Sequence, residues 1–227
     1  MKLAALFSGG KDSTYAMYKA QQYGHKISVL ISVVSQNPES YMFHTPNIHL
    51  TELQAQAIEI PLLTWISKGE KERELQDLKA AMYTAKEQYG IEGVVTGAVE
   101  SIYQASRVQR ICHELDLWCF NPLWLKDQKK LLQELLENKF EVIIGGVFAP
   151  PLDGEWLGRK LDTEAVKELI RLEEEFHINP AGEGGEIETF VTDAPFFRKK
   201  IEIKKATKNF KGKSGTYDIE GAGLVEK

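Results

Sequence analysis

Apolar residues in this chain come in two rhythms. Short continuous runs occupy residues 3–7, 27–34, 62–66, 93–96, 117–120 and 140–147, the signature of strands buried on both faces. Between them, apolar positions recur every three or four residues, predicting helices over about 13–23, 51–59, 70–89, 102–115 and 126–138. Gly24 and Gly90 stand where helices end. Thr51 and Gln54 have capping-box spacing. Strands alternating with helices predict an α/β fold: a doubly wound, mostly parallel sheet with helices on both faces. In such sheets ligands bind beyond the C-terminal strand ends. The segments after Phe7, Val34 and Thr96 then gather on one edge.

The rhythm changes after residue 149. Pro150 and Pro151 punctuate the chain, a charged amphipathic helix spans 163–176, and strand-like runs follow at 188–192, 198–206 and 216–219. This predicts a smaller C-terminal α+β lobe, with an α/β domain over 1–149 and the lobe over 150–227.

Composition narrows the setting. The 227 residues are 43% hydrophobic, enough for a real core, and carry a net charge of −5. No apolar run reaches membrane-spanning length and the start lacks a signal-peptide layout, so no membrane association is expected. Cys112 and Cys119 form neither a metal spacing nor a redox motif, which favours a reducing, cytoplasmic compartment. Cys112 falls on an apolar helix face and reads as a buried structural thiol. The acidic balance speaks against stable nucleic-acid binding; homo-oligomerisation is left open.

The first strand runs straight into Ser8-Gly9-Gly10-Lys11-Asp12-Ser13. A strand that ends in a glycine pair and reopens as a helix exposes several backbone N–H groups at the positive end of a helix dipole. Gly9 and Gly10 let the backbone bend sharply and approach an anion. Lys11 adds a mobile positive charge. Asp12 and Ser13 occupy expected N-cap positions, and Asp12 is suited to hold Mg²⁺ beside phosphate. The loop is not a Walker A sequence: position 5 is alanine, and Lys11 is followed by Asp12 rather than Ser or Thr.

Three further segments carry chemistry. Gly97 ends a strand, where a glycine lets a nucleotide approach, and Glu100, Gln104 and Arg107 follow. They either line the ATP or acceptor side of a cleft or merely open a helix bearing a surface arginine. His44 and Asn47 lie in an irregular stretch that is either a substrate-contact loop or a solvent loop. Residues 182–188 place three glycines among three glutamates, Glu183, Glu186 and Glu188, ahead of Thr189. Clustered carboxylates repel unless a cation or donor answers them, which favours a binding loop over a plain hinge. Residues 198–213 hold eight Lys or Arg against Glu202. They form either a docking surface for an acidic or RNA-bearing partner or a solvated edge guarded by lysines.

Residues 8–13 resemble the PP-loop, S-G-G-x-D-S, of enzymes that split ATP into AMP and pyrophosphate. With Met42-Phe43-His44 and Asn47, with Gly97-Ala98-Val99-Glu100-Ser101, Tyr103-Gln104, Arg107 and Pro122-Leu123-Trp124, and above all with Gly184-Gly185-Glu186-Ile187-Glu188-Thr189-Phe190-Val191, Asp193 and Pro195, the chain resembles diphthine–ammonia ligases over nearly its whole length. The resemblance implies a PP-loop domain of the adenine nucleotide alpha hydrolase-like kind, without the additional C-terminal domains of eukaryotic relatives. It implies a ligase that adenylates the carboxylate of diphthine on translation elongation factor 2 with ATP, then lets ammonium-derived ammonia displace AMP. The catalytic candidates are Lys11, Asp12 and Glu186. Ser8, Gly9, Gly10, Lys11, Asp12, Ser13 and Gly97 are expected to bind ATP, with Mg²⁺ on Asp12. His44, Asn47, Glu100, Gln104, Arg107, Glu183, Gly185, Glu186, Glu188 and Thr189 are expected on the substrate side. Diphthine carries a trimethylammonium group, which carboxylates and aromatic faces answer, so one of Glu183, Glu186 and Glu188 is expected near that cation or steering ammonium. Two other classes share such a loop: tRNA-modifying PP-loop enzymes and non-catalytic nucleotide-binding modules.

Overall fold

A computed structural model describes residues 1–37, 46–69 and 73–227. The chain divides into two compact units, residues 1–124 and 125–227.

The first unit is a five-stranded sheet of order β3-β2-β1-β4-β5, built from β1 (Lys2–Leu6), β2 (Lys26–Ser35), β3 (Leu62–Ser67), β4 (Gly93–Val95) and β5 (Trp118–Phe120). Every pairing in it is parallel. The helices are α1 (Lys11–Gln22), α2 (Thr51–Ile58), α3 (Arg73–Tyr89) and α4 (Ile102–Glu114). One face is covered by α3 and α4, whose Leu78, Ala81, Met82, Val108 and Ile111 pack on Ala4, Val29, Ile31, Val33 and Val94. Leu3, Ala5, Leu30 and Val95 alternate with those strand residues and are also buried. Their side belongs to α1 and α2, which pack along β1 to β4. This is the doubly wound arrangement expected, and its strand order reverses between β1 and β4, the place where such sheets bind ligands.

Cys112 of α4 is buried, and Cys119 of β5 packs against the same cluster. Its hydrogen bond with the Cys119 thiol, together with burial, pushes the Cys112 thiol up. That suits the unreactive structural thiol expected.

The second unit contains α5 (Gln128–Glu137), β6 (Glu141–Val147), α6 (Thr163–Phe176), β7 (Ile187–Asp193), β8 (Lys200–Lys211) and β9 (Ser214–Val225). Its sheet has the order β7-β6-β9-β8 and is antiparallel. The expected boundary at 149/150 therefore moves to 124/125. The run at 140–147 is a strand, but it pairs with β7 and β9 rather than extending the parallel sheet. A continuous apolar run reports burial on two faces and says nothing of its partner. The helices α5 and α6 pack together, burying Leu131, Leu132 and Leu135 and, on α6, Val166, Leu169 and Leu172.

Candidate active site

The sharpest feature of the first unit is the turn after β1. The β1 end is held by Ser32, fully buried, whose hydroxyl donates to the Phe7 carbonyl at 2.6 Å. Gly9 follows with φ +79°, the left-handed conformation that favours glycine. The helix α1 then opens at Lys11, two residues earlier than its apolar period suggested. Gly10 is its N-cap, so Lys11, Asp12 and Ser13 lie inside the first turn rather than Asp12 or Ser13 capping it. Gly10 has no side chain to offer and no side-chain cap bond forms. Instead the Gly10 carbonyl accepts from the Ser13 hydroxyl at 3.1 Å and the Thr14 hydroxyl at 2.8 Å. The Ser8 and Ser13 hydroxyls lie 3.2 Å apart, closing the loop on itself. The Gly10 N–H reaches the Ser8 hydroxyl at 3.4 Å, and a helix start led by a glycine N-cap is an anion-binding geometry.

Lys11 is 4% exposed, and its ammonium donates to Asp12 Oδ2 at 2.8 Å. The charge is thus fixed beside the turn, not mobile as its side-chain length suggested. The other oxygen of that carboxylate, Asp12 Oδ1, is buried and accepts no hydrogen bond among the described residues. A carboxylate oxygen without a donor is a place for a cation, and Mg²⁺ is commonly held by one or two carboxylates completed by phosphate and water. Asp12 fits that group. Among the described residues no cluster of three or more His, Cys, Asp or Glu is arranged around a metal, so phosphate oxygens would have to complete the shell.

Gln54 is the residue that sequence reasoning misplaced. No capping box forms: Thr51 donates its hydroxyl to the Ile48 carbonyl, and Leu50 is the N-cap of α2. The fully buried Gln54 amide instead crosses to the loop, where Nε2 donates to the Gly9 carbonyl at 2.9 Å. In a planar trans peptide, turning that carbonyl toward α2 turns the Gly10 N–H the opposite way. A Cβ on Gly9 would sit 2.1 Å from Gln54 Oε1, so any side chain here would displace the Gln54 amide from the loop.

Gly97, just past β4, touches the same turn from the neighbouring strand. A Cβ there would lie 2.7 Å from the Asp12 carbonyl carbon and the Ser13 nitrogen. The structure thus brings residues 8–13, Gln54 and Gly97 together at the β1/β4 reversal. Ser101 caps α4 by accepting from the Gln104 N–H at 3.3 Å, and Glu100 is exposed just before it. Arg107 lies over the Tyr103 ring, 3.4 Å from its centroid. It also lines a cleft of about 380 Å³ with Gln76, Lys79, Arg110 and Glu114, between α3 and α4. Asn47 is buried, with φ +63°, and begins a turn of 3-10 helix. His44 lies outside the described residues.

The second unit holds the glutamate-rich loop. Glu186 is 8% exposed and both of its oxygens serve the loop itself. Oε1 accepts from the Asn179 backbone N–H at 3.0 Å and its side-chain amide at 2.7 Å, and Oε2 accepts from the Gly184 N–H at 2.9 Å. Asn179 in turn accepts from Gln128 at 3.1 Å, and Gln128 accepts from the Ala181 N–H. A Cβ on Gly184 would meet Asn179 Nδ2 and Glu186 Oε1, both at 2.6 Å. Gly182 and Gly185 have φ of +80° and +84°. This carboxylate and these glycines form one folded unit. Its brace, Gln128 and Asn179, carries no motif and was not visible in the sequence. Glu188 sits on β7 opposite Gly146, Glu183 is half-buried in the loop, and Thr189 is buried opposite Ile144. Removing the Glu186 side chain leaves three donors without their acceptor, each costing about 1–3 kcal/mol where buried. Glu186→Ala is therefore expected to lower the unfolding free energy of the second unit by several kcal/mol, seen by fluorescence as a lower urea midpoint. An unshifted midpoint would show that the brace is energetically idle.

An α/β domain with a glycine-led turn into a helix at its strand-order reversal has the architecture of nucleotide-binding enzymes. The sequence pattern of the diphthamide synthase N-terminal domain matches residues 1–118, and that of the diphthamide synthase C-terminal domain matches residues 127–225. Diphthine–ammonia ligases of Bos taurus and Homo sapiens are each 36% identical over 222 residues, covering 89% of this chain and 83% of theirs. The Schizosaccharomyces pombe enzyme of the same name is 31% identical over 89% of this chain, which spans 36% of its length. The chain belongs to the diphthine–ammonia ligase family. Among solved structures, a predicted subunit of tRNA methyltransferase from Methanocaldococcus jannaschii aligns over 86% of this chain and 98% of its own, at 17% identity and TM-score 0.43. A 4-thiouridine synthetase–RNA complex with bound ATP aligns over 60% of this chain and 40% of its own, at 19% identity and TM-score 0.37. Neither likeness is strong enough to bear on function.

Proposed function

We infer that this chain is a C–N-bond-forming ligase that amidates diphthine on translation elongation factor 2 to diphthamide, using ATP and ammonium. Membership of the family supports the reaction. The observation in the structure that carries it is the turn at residues 8–13, with Lys11 buried in the first turn of a helix whose N-cap is a glycine.

A carboxylate resists ammonia because its oxygen leaves poorly. In the first step a diphthine carboxylate oxygen attacks the α-phosphorus of ATP, the bond to the β-phosphoryl oxygen breaks, and pyrophosphate departs. In the second, ammonia attacks the acyl carbon, the bond to the adenylate oxygen breaks, AMP leaves, and the nitrogen loses a proton. Negative charge grows on pyrophosphate in the first step. The amides of the first turn of α1 and the Lys11 ammonium are placed to take up that charge, and one such preorganised donor is worth about 3 kcal/mol, or two orders of magnitude in rate. Gln54 keeps the Gly9–Gly10 peptide turned so that its N–H faces away from α2. Asp12 would hold Mg²⁺, which when bound neutralises phosphoryl charge. On the substrate side, Glu183 and Glu188 are the carboxylates for the trimethylammonium group. Glu186 serves as a positioning residue that shapes the loop carrying Glu183.

The nucleotide product is the test. The purified chain with ATP, ammonium and diphthine-bearing elongation factor 2 is expected to release AMP and pyrophosphate in step with amide formation. Release of ADP and orthophosphate would overturn the reading. AMP release with tRNA in place of the factor would point to a tRNA-modifying enzyme.

Among the described residues no helix is long and apolar enough to cross a membrane, and a cytoplasmic site of action follows from the proposed substrate.

A further inference from the structure

The strands β8 and β9 form a hairpin whose charge runs against the rest of the chain. The whole protein has 33 acidic side chains against 28 basic ones. The outer part of the hairpin, residues 204–220, has five lysines against two carboxylates, Asp218 and Glu220. Glu220 is taken up by Lys205 and the Thr207 hydroxyl, and Asp218 accepts from Asn209. Lys204, Lys208, Lys211 and Lys213 are exposed, and among the described residues none of them forms an ion pair. Elsewhere Lys79, Lys126, Lys129 and Arg159 each face a carboxylate within 2.8 Å, while the exposed Lys26, Lys130, Lys139 and Lys160 are scattered singly rather than gathered on one hairpin. The hairpin strands are twelve residues long, against seven for β6 and β7. Its β9 joins β6 only at Gly215 and Thr216. Between Lys208 and Lys211, Phe210 is 40% exposed.

The hairpin's lysines alone would suffice to keep the sheet edge β8 from pairing with other chains. An exposed aromatic among them works against that purpose. It is the composition of a recognition surface, where an aromatic anchor sits inside a charged rim. We propose that the outer β8–β9 hairpin is the docking surface for an acidic patch on the protein that carries the diphthine. The proposal rests on the amidation reading, because a modified side chain on a folded protein must be presented by contacts beyond the side chain itself. A positive arm on an acidic body steers an acidic partner to one face and repels it from the others. The net charge of −5 disfavours the long phosphate contacts a nucleic acid needs.

The test is the triple variant K204E/K211E/K213E, assayed against diphthine-bearing elongation factor 2 and against a short diphthine-containing peptide. With the factor, KM is expected to rise by roughly tenfold or more at low salt. The wild-type KM rises with ionic strength, and the variant's changes little. With the peptide, kcat/KM stays at the wild-type value, which also shows that the variant is folded. F210A raises KM for the factor alone. Unchanged KM for the factor, or equal losses on factor and peptide, overturns the docking surface while leaving the ligase reading intact. Loss of binding to an RNA oligonucleotide with unaltered KM for the factor overturns it in favour of a nucleic acid. No amide product from the wild-type chain on either substrate overturns the ligase reading, and the docking surface with it.

Discussion

Replacing Lys11 by alanine is expected to lower kcat for AMP formation by two to three orders of magnitude, about 3–4 kcal/mol of transition-state stabilisation. Lys11 is almost wholly buried, and its carboxylate partner Asp12 has 28% of its own side chain exposed. The pair is partly solvated at its Asp12 end, which weakens the Coulomb attraction across it. A buried lysine held at a phosphate turn earns its place through what it does to a phosphoryl group. The variant is expected to remain folded in thermal melts while losing nearly all turnover. K11R retains the charge but not the point-like ammonium geometry, and the guanidinium must fit where 4% of the lysine reaches solvent. It is expected to recover only part of the rate. Pre-steady-state AMP formation at saturating ATP checks the prediction, and a K11A enzyme with undiminished kcat would remove Lys11 from the chemistry.

The sequence and the structure part company where side chains act at a distance. Strand and helix periods placed β1 to β5 and α1 to α4 within a few residues, because the central strands β1, β2 and β4 are buried on both faces and the apolar runs are continuous even at the edges. The turn at residues 8–13 was legible because its glycines and charged residues are consecutive. Gln54 was not. Its spacing from Thr51 satisfies a local rule, and only the fold brings Gly9 within 2.9 Å of it, 45 residues away in sequence. The same holds for Gln128 and Asn179, which are unremarkable in sequence yet are tied to each other and to Glu186. Carboxylate clustering drew attention to residues 183–188 for a sound reason, since acidic groups so close need donors. The donors that answer Glu186 are the loop's own N–H groups. The strand β6 has the right pattern and was assigned the wrong neighbours, because hydrophobicity encodes burial and not pairing.

Gly97→Ala is expected to raise KM for ATP at least tenfold and to lower kcat about a hundredfold. The added methyl would stand 2.7 Å from the Asp12 carbonyl carbon, 2.7 Å from the Ser13 nitrogen and 2.9 Å from the Asp12 oxygen. All three are backbone atoms of the first turn of α1, so no flexible side chain can swing aside. Nor can the strand retreat: β4 is hydrogen-bonded to β1 on one side and β5 on the other, and its Val94 and Val95 are buried. The helix is anchored by Tyr15 and Met17, each no more than 1% exposed. Relief must come from a shift of several tenths of an ångström in the turn that is proposed to hold phosphate. A displacement of about 1 Å in a catalytic group costs on the order of 10² in rate. Overpacking of this kind also destabilises by about 1–3 kcal/mol. Gly24→Ala supplies the contrast. Its φ of +79° makes alanine strained, but no atom lies within 4 Å of the new methyl, so it should lose about 1–2 kcal/mol of stability and leave KM for ATP untouched. Thermal melts and ATP titrations of the two variants separate general destabilisation from damage to the phosphate turn. Wild-type affinity for ATP in Gly97→Ala would mean that nucleotide binding does not depend on the contact between the β4 end and the start of α1.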